Sequence, residues 1–440
     1  MSQEFKRILT ASIAAAAILS GIAGAQAGAF AIREQSAEDL GDAFAGAATS
    51  GSSLSSMFWN PATMTSHKGW QSTSAFSAIL PYASIQSLNA ISARPLNSGN
   101  IGESALVPAS STSYQVNDNL WAGLSINSPF GLSTKAQVPW NGGVYGQSSD
   151  ARSINIRPTL AYKINEMFSI GFGLDIERFS LHLTNLDPKT KTTTVDDLKG
   201  SSWGVGATAG VTIKPAAGTE IGIGYRSQIK QNIHGSLSVA SGLGGVFNVK
   251  SNVTLPDQIN IGLRQKITDQ FTGLAGFEWT HWSVFNKFPV VGTSGPTTGV
   301  TITKLGFVYR NGWFASLGGE YKYSPNMTLR AGLAYEHSPI SDVVRGVRLP
   351  DNNRIWTTAG LSYAIDKKLS FDLSYAHIFP AKTNIAITSA SNPSFLAPSL
   401  ALSATVKSHI DIVSVGLNYR WDDPKEMEAV PAQKAIVRKY

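Results

Sequence analysis

The chain has no cysteine in 440 residues, so neither a disulfide nor a metal–thiolate centre holds it together. Charge is scarce too. Asp, Glu, Lys and Arg make up 15% of the sequence, where a soluble enzyme carries roughly 25%. Beyond Gly28 no window approaches the roughly 18 uncharged apolar residues of a membrane-spanning helix. The histidines stand alone at positions 67, 182, 234, 281, 337, 377 and 409. There is no His-x-x-x-His pair and no G-x-S-x-G elbow, and Gly242-Leu243-Gly244-Gly245 lacks the strand-to-helix setting of a phosphate cradle. Catalysis is therefore not expected, and no metal or other cofactor is called for. The net charge is +7, but the basic residues are scattered, which argues against nucleic acid as a partner.

What the chain does have is 10% aromatic residues and 41 glycines. It opens with Lys6-Arg7, an apolar run from Ile8 to Ile22, and a small-x-small site at Ala25-Gln26-Ala27. This reads as a secretory signal peptide over residues 1–27. From about Gly69 the pattern alternates with a period of two. In TLRAGLAYE, Leu329, Ala331, Leu333 and Tyr335 face one way and Arg330, Gly332, Ala334 and Glu336 the other. Apolar outside and small or polar inside is what a lipid-embedded barrel strand requires.

Candidate strands fall at 69–84, 104–116, 120–133, 151–164, 167–184, 200–214, 218–236, 248–267, 270–288, 309–323, 327–340, 353–365, 368–379 and 408–421. Their joints alternate between tight turns, such as Asn165-Glu166 and Asp366-Lys367, and long loops, such as 85–103, 237–247, 289–308 and 380–407. That asymmetry belongs to outer-membrane barrels, with short periplasmic turns and long external loops. The predicted fold is all-β, a 14-stranded antiparallel transmembrane barrel with both ends on the periplasmic side. Ahead of it, Phe30 to Met64 is rich in small residues and ends on Met57-Phe58-Trp59-Asn60-Pro61-Ala62. It is not β-like, and its place at the periplasmic mouth predicts a plug inside the lumen.

Two strands break the alternation. In the fifth, Ile170, Phe172, Leu174 and Ile176 share a face while Phe179, Leu181 and Leu183 fall on the other phase. A bulge near Glu177-Arg178 is one reading, because a one-residue insertion flips every later side chain; a strand rising above the bilayer is the other. In the third, the strand runs into Asn127-Ser128-Pro129-Phe130-Gly131, where Pro129 removes a ladder donor. Either the strand ends there or the wall opens.

These residues resemble the FadL/TodX family of outer-membrane transporters for long-chain fatty acids and hydrocarbons. The run IREQSAEDLGDAFAGAATS…FWNPATMT is similar to that family's hatch segment, with Asn60-Pro61-Ala62 matching its Asn-Pro-Ala motif. NLWAGLSINSPFGLST resembles its kinked third strand, and RLPDNNRIWTTAGLSYAIDKKLSFDLSYAH its Pro-Asp…Arg-x-Trp signature. The likeness covers the mature chain to Trp421; family members usually finish on an aromatic, whereas here DDPKEMEAVPAQKAIVRKY follows. The expected division is signal peptide 1–27, hatch 28–66, barrel 67–421 and periplasmic tail 422–440.

The resemblance implies a passive outer-membrane channel for long-chain fatty acids or similar hydrophobic molecules. External loops capture the substrate, a lumen pocket gated by the hatch (Asn60, Pro61, Ala62) holds it, and it leaves sideways at Pro129, Phe130 and Gly131. Met57, Phe58 and Trp59, with loop aromatics such as Trp140 and Tyr145, are candidates for the apolar groove. Phase puts Arg157, Arg226, Arg264 and Arg330 in the lumen with Asp175, Glu278, Glu320, Glu336 and Asp372. Arg157 and Arg330 are the chosen carboxylate ligands, since a guanidinium fork binds both oxygens; mutual pairing of these charges is the alternative. His281 and His377, on apolar phases, read as interfacial girdle residues. Further expected partners are outer-membrane lipid or lipopolysaccharide and the barrel assembly machinery. A general diffusion porin and, more remotely, an outer-membrane phospholipase are the competing functions.

Overall fold

A computed structural model describes residues 28–187, 195–239 and 245–422. The expected signal peptide, the loop tip at 240–244 and the tail from 423 onward lie outside the described residues.

Fourteen strands form a closed antiparallel wall. They are β1 (Trp70–Ser87), β2 (Ala105–Gln115), β3 (Leu120–Asn127), β4 (Ser148–Lys163), β5 (Phe168–Leu186), β6 (Val195–Ala216) and β7 (Thr219–Arg226), then β8 (Gln258–Lys266), β9 (Phe271–Thr280), β10 (Gly312–Ser324), β11 (Met327–His337), β12 (Arg354–Ala364), β13 (Leu369–Pro380) and β14 (Leu402–Arg420). Each pairs with the next. β14 closes on β1 from Gln71↔Arg420 to Ser87↔Ala404, so no edge is left in the membrane. Ile170, Phe172 and Leu174 lie exposed on the outer face while Asp175 and Glu177 are buried inside. Trp421 packs against Trp70 at the seam, 5.2 Å between rings.

Several expected strands prove to be two. The stretch 218–236 divides at Ser227-Gln228 and 248–267 at Pro256-Asp257, and the outer halves, Ile229–Val239 and Gly245–Leu255, form a hairpin that extends the wall. The stretch 270–288 stops at Thr280, where Trp282–Val284 makes a 3-10 turn. Its remainder joins a second hairpin, Lys287–Gly292 with Thr301–Gly306, inside the expected 289–308 loop. The bulge expected at Glu177-Arg178 is absent. β5 holds one register against β6 from Phe168↔Ile213 to Leu186↔Val195, so Phe179 points into the lumen and is 2% exposed. The phase break is real in the sequence, but its apolar residues line the interior.

The segment before β1 is buried against the inner face of the wall. Its pieces are short: a helix α1 (Ala37–Gly41) and 3-10 turns at Leu54–Phe58 and Pro61–Ser66. Ser36 caps α1 by accepting from the Asp39 amide, and Asn60 caps the last turn with Pro61 at its first position, where the missing N–H costs nothing. Ala43 and Phe44 adopt left-handed backbone, φ 56° and 59°, which costs non-glycine residues about 1–3 kcal/mol each. The tight turn they make presses the hatch against a track of inward glycines on the wall. A Cβ at Gly222 would sit 1.8 Å from the Ala48 carbonyl oxygen, one at Gly224 1.8 Å from that of Trp59, and one at Gly332 2.2 Å from the Asp42 carbonyl carbon. The small residues of the hatch and the bare backbone of the wall thus fit each other.

Candidate functional site

Buried charge grips one side of the hatch. Arg33 reaches Glu278 on β9 and Glu336 on β11, both at 2.6 Å, and its guanidinium lies 4.3 Å above the Phe314 ring. Glu336 also accepts from the Gly28 amide (2.6 Å) and the Trp356 indole (3.0 Å). Glu38 accepts from the Ser52 and Ser53 amides and pairs with Arg330 at 2.9 Å. Removing one partner of such a buried pair leaves an uncompensated charge and costs about 3–5 kcal/mol.

The two arginines chosen as carboxylate ligands are already engaged. Arg330 bonds Glu38, Glu320 and Ser362. Arg157 bonds Asp175 at 2.7 Å and the Phe58 carbonyl at 2.9 Å, and among the described residues its Nη2 has no hydrogen-bond partner. Both therefore tie hatch to wall. Arg226 differs: its Nε and Nη2 have no hydrogen-bond partner among the described residues, and Asp175 lies 3.6 Å away. Arg157 and Arg226 flank the Phe58 ring at 5.5 and 5.1 Å. Beside them Glu177 is fully buried, with neither carboxylate oxygen hydrogen-bonded among the described residues.

Met57 does not share a surface with Phe58 and Trp59. It packs with Leu54, Met64, Trp121 and Ala161 beneath the hatch, while Phe58 and Trp59 join Phe44, Phe314 and Trp356. Asn60 is pinned, donating to the Ala48 and Val211 carbonyls at 2.8 and 2.9 Å. Trp140 and Tyr145 belong to an external-loop cluster with Ile85, Val347 and Ile385. His281 stacks on Trp279 at 5.3 Å and bonds Asp257, and His377 bonds Asp411 at 2.7 Å. Among the described residues no cluster of His, Asp or Glu could hold a metal ion.

The third strand breaks where Pro129 and Gly131 stand. β3 leaves β2 at Ser110↔Ile126, and the next bridge between them is Gly102↔Thr134. Between these points the seam carries no ladder. On the other side, three residues of the chain (128–130) oppose two of β4, between Asn127↔Asn155 and Gly131↔Arg152. After the break, Gly131–Lys135 continues against β4.

The start of the hatch lies across this break. Ile32 donates to the Pro129 carbonyl (2.8 Å), Gly131 donates to the Phe30 carbonyl (2.9 Å), and Ala31 bridges Phe130. Phe30 projects into an aromatic chamber with ring distances of 4.7 Å to Trp282, 5.0 Å to Phe285, 5.8 Å to Phe130 and 6.3 Å to Phe179. The Phe179 that looked out of phase is one of its walls. Phe30, Arg33 and Arg226 are the residues that sequence reasoning did not single out, although Arg226 carried the right phase.

Two hatch acids are held away from their ordinary charge. Burial pushes Glu34 up to about 7, and neither of its side-chain oxygens has a hydrogen-bond partner among the described residues. Burial pushes Asp39 up to about 7 as well, with Glu38 adding repulsion.

The family model described as "Outer membrane protein transport protein (OMPP1/FadL/TodX)" matches residues 17–421. A "Long-chain fatty acid transport protein" of Escherichia coli is 28% identical over 419 residues, covering 86% of this chain and 92% of the relative. "Outer membrane protein P1" of Haemophilus influenzae is 25% identical over 460 residues, covering 93% and 98%. Among solved structures, a Pseudomonas aeruginosa FadL homologue superposes with a TM-score of 0.80 at 20% identity, over 90% of this chain and all of that one. The Ralstonia pickettii toluene transporter TbuX gives 0.59 at 18%, over 84% and 94%.

Proposed function

Because this chain belongs to the OMPP1/FadL/TodX family and is an outer-membrane transporter of hydrophobic compounds, we propose that it is a passive channel gated by its own N-terminal arm. The observation that carries the reading is that one short stretch, Phe30–Ile32, does two things. Its backbone stoppers the break in the third strand, and its Phe30 side chain fills the aromatic chamber behind that break. Withdrawing the arm would empty the chamber and unblock the seam together.

In this route the external loops collect the substrate, with Trp140 and Tyr145 among their buried aromatics. It takes the place of Phe30 between Trp282, Phe285 and Phe130, then slides past Pro129, Phe130 and Gly131 into the bilayer. Leaving water stabilises an acyl chain by roughly 0.8 kcal/mol per CH₂, so downhill diffusion needs neither ATP nor an ion gradient. The substrate class is a long-chain fatty acid or a comparable lipophile. A carboxylate would find, beside Phe58, Arg226 Nε and Nη2 and Arg157 Nη2, which make no hydrogen bond among the described residues, with Asp175 3.6 Å from Arg226 as its competitor. Arg157 and Arg330, with Asn60-Pro61-Ala62, fasten the rest of the hatch while the arm moves, and Met57 and Trp59 pack it in place. A hatch buried against the inner face of the wall weighs against a general porin, and transport names among the relatives weigh against an enzyme.

The test is to straighten the strand. Deleting Ser128 equalises the residues opposing each other across β3 and β4, which should cut uptake of labelled oleate at least tenfold. The barrel should still show the heat-modifiable gel mobility of a folded wall. Uptake at the parent rate in that folded variant would show that release does not occur at this seam.

A further inference from the structure

On β5 the outward residues run Phe168, Ile170, Phe172, Leu174 and Ile176, then change to Arg178, Ser180 and His182. Eight residues at about 3.3 Å each, tilted by about 40°, rise about 20 Å, close to the height of the apolar belt of an outer-membrane barrel. The change therefore falls at the level of the external headgroups. There the outer face of five adjacent strands turns basic.

The register shows how the charges line up. One row reads Arg152, Ser180, Ser201, His234, Lys250 across β4, β5, β6 and the external hairpin. The row above it reads Asp150, His182, Lys199, Ser236, Asn248, and the row below begins Ile154, Arg178, Trp203. Lys230 stands nearer the belt on the same hairpin face. Arg178, Lys199, Lys230, His234 and Lys250 are all exposed. Among the described residues, five Lys and Arg face outward here against two acids, Asp150 and Asp197, which pair with Arg152 and His182. Trp203 and Val205, 57% and 64% exposed, supply an apolar shelf directly beneath.

We propose that this face binds the phosphorylated headgroup of lipopolysaccharide in the outer leaflet. Guanidinium and ammonium groups at headgroup height attract lipid phosphates, and the Trp203–Val205 shelf meets acyl chains of the same molecule. Both halves of the ligand are matched on one continuous surface, which selects a lipid over a soluble anion. The site lies on the outside of the wall, apart from the chamber and the hatch.

The full chain with Arg178→Glu, Lys199→Glu and Lys250→Glu tests this in vesicles of neutral phospholipid, with or without lipopolysaccharide. A control carries Lys163→Glu and Lys266→Glu at the periplasmic turns. The triple variant is expected to retain at least tenfold less lipopolysaccharide per barrel and to lose the rise in unfolding temperature that this lipid gives. Its unfolding temperature in neutral vesicles and its uptake of labelled oleate should match the parent, and the control should behave as the parent throughout. Retention at the parent level, equal retention of dephosphorylated lipopolysaccharide, an equal loss in the control, or the same stabilisation from inorganic phosphate alone would each overturn the proposal.

Discussion

Toward β9–β12 the hatch is gripped by charge: Arg33 between Glu278 and Glu336, and Glu38 on Arg330, all buried. Toward the break in the third strand it is held by main-chain bonds at Ile32 and Gly131 and by the ring of Phe30. The first kind of contact is hard to break, because a lone buried charge has nowhere to go. The second exchanges readily, since a hydrophobic ligand replaces the ring contacts and water replaces the amide partners, each worth only about 1 kcal/mol net. A plug fastened firmly on one side and lightly on the other can open at its light edge without leaving the barrel.

The contrast can be broken from the firm side first. Arg33→Gln leaves Glu278 buried without a cation, while Glu336 keeps only Arg354, and should cost hatch docking about 3–5 kcal/mol. The measurement is ion conductance in planar bilayers, expected to rise as the hatch leaves the lumen while the unfolding temperature of the wall stays near the parent value. On the light side, Phe30→Ala removes a ring from the chamber at a cost of about 3 kcal/mol to the closed arm. Uptake of labelled oleate should quicken without added conductance, which separates arm opening from hatch loss.

Titration probes the same contrast more gently. Glu34, pushed up to about 7 by burial and faced by Arg33, Glu336 and Arg354, is more easily protonated in the docked hatch than in water. A raised carboxylate stabilises docking fully below about pH 4.5, and that stability is lost as pH rises through 7. Asp39 acts with the same sign. Protease protection of the hatch should thus fall between about pH 5 and 8, and Glu34→Gln should flatten the curve by up to about 3 kcal/mol. The most local effect belongs to Asn60→Ala, which loses a cap worth about 0.5–2 kcal/mol and its bonds to the Ala48 and Val211 carbonyls, about 1 kcal/mol each. Hydrogen exchange at Ala62 and Thr63 should quicken while uptake is unchanged.

Much of this was legible in the residues. Fourteen strands and their turns follow from period-two alternation and from the short–long joints, because a lipid face and a lumen face impose that pattern locally. The split strands escaped notice since apolar residues stay on odd positions across Ser227-Gln228, from Ile221 and Ile223 to Ile229 and Ile233, although the buried face changes there from even positions to odd. Phe179 misled because an apolar residue in a lumen breaks the rule that the inside is polar; it does so where a greasy chamber exists. The hatch was visible as a small-residue run, but its glycine counterpart was not. Gly222 and Gly332 meet Ala48 and Asp42 from far along the chain, and no local pattern pairs them. Arg33 was hidden for the same reason, its partners lying 245 and 303 residues away. Arg157 and Arg330 were rightly placed inside by phase, yet phase cannot tell a free guanidinium from a bonded one.

A reversible tether tests the light edge most directly, and a chain without cysteine permits it cleanly. Ala31 and Phe130 form an antiparallel bridge, a separation within reach of a disulfide. In the variant with Ala31→Cys and Phe130→Cys, oxidation should abolish uptake of labelled oleate and reduction should restore it. If the oxidised barrel takes up oleate at the reduced rate, the arm is not the gate.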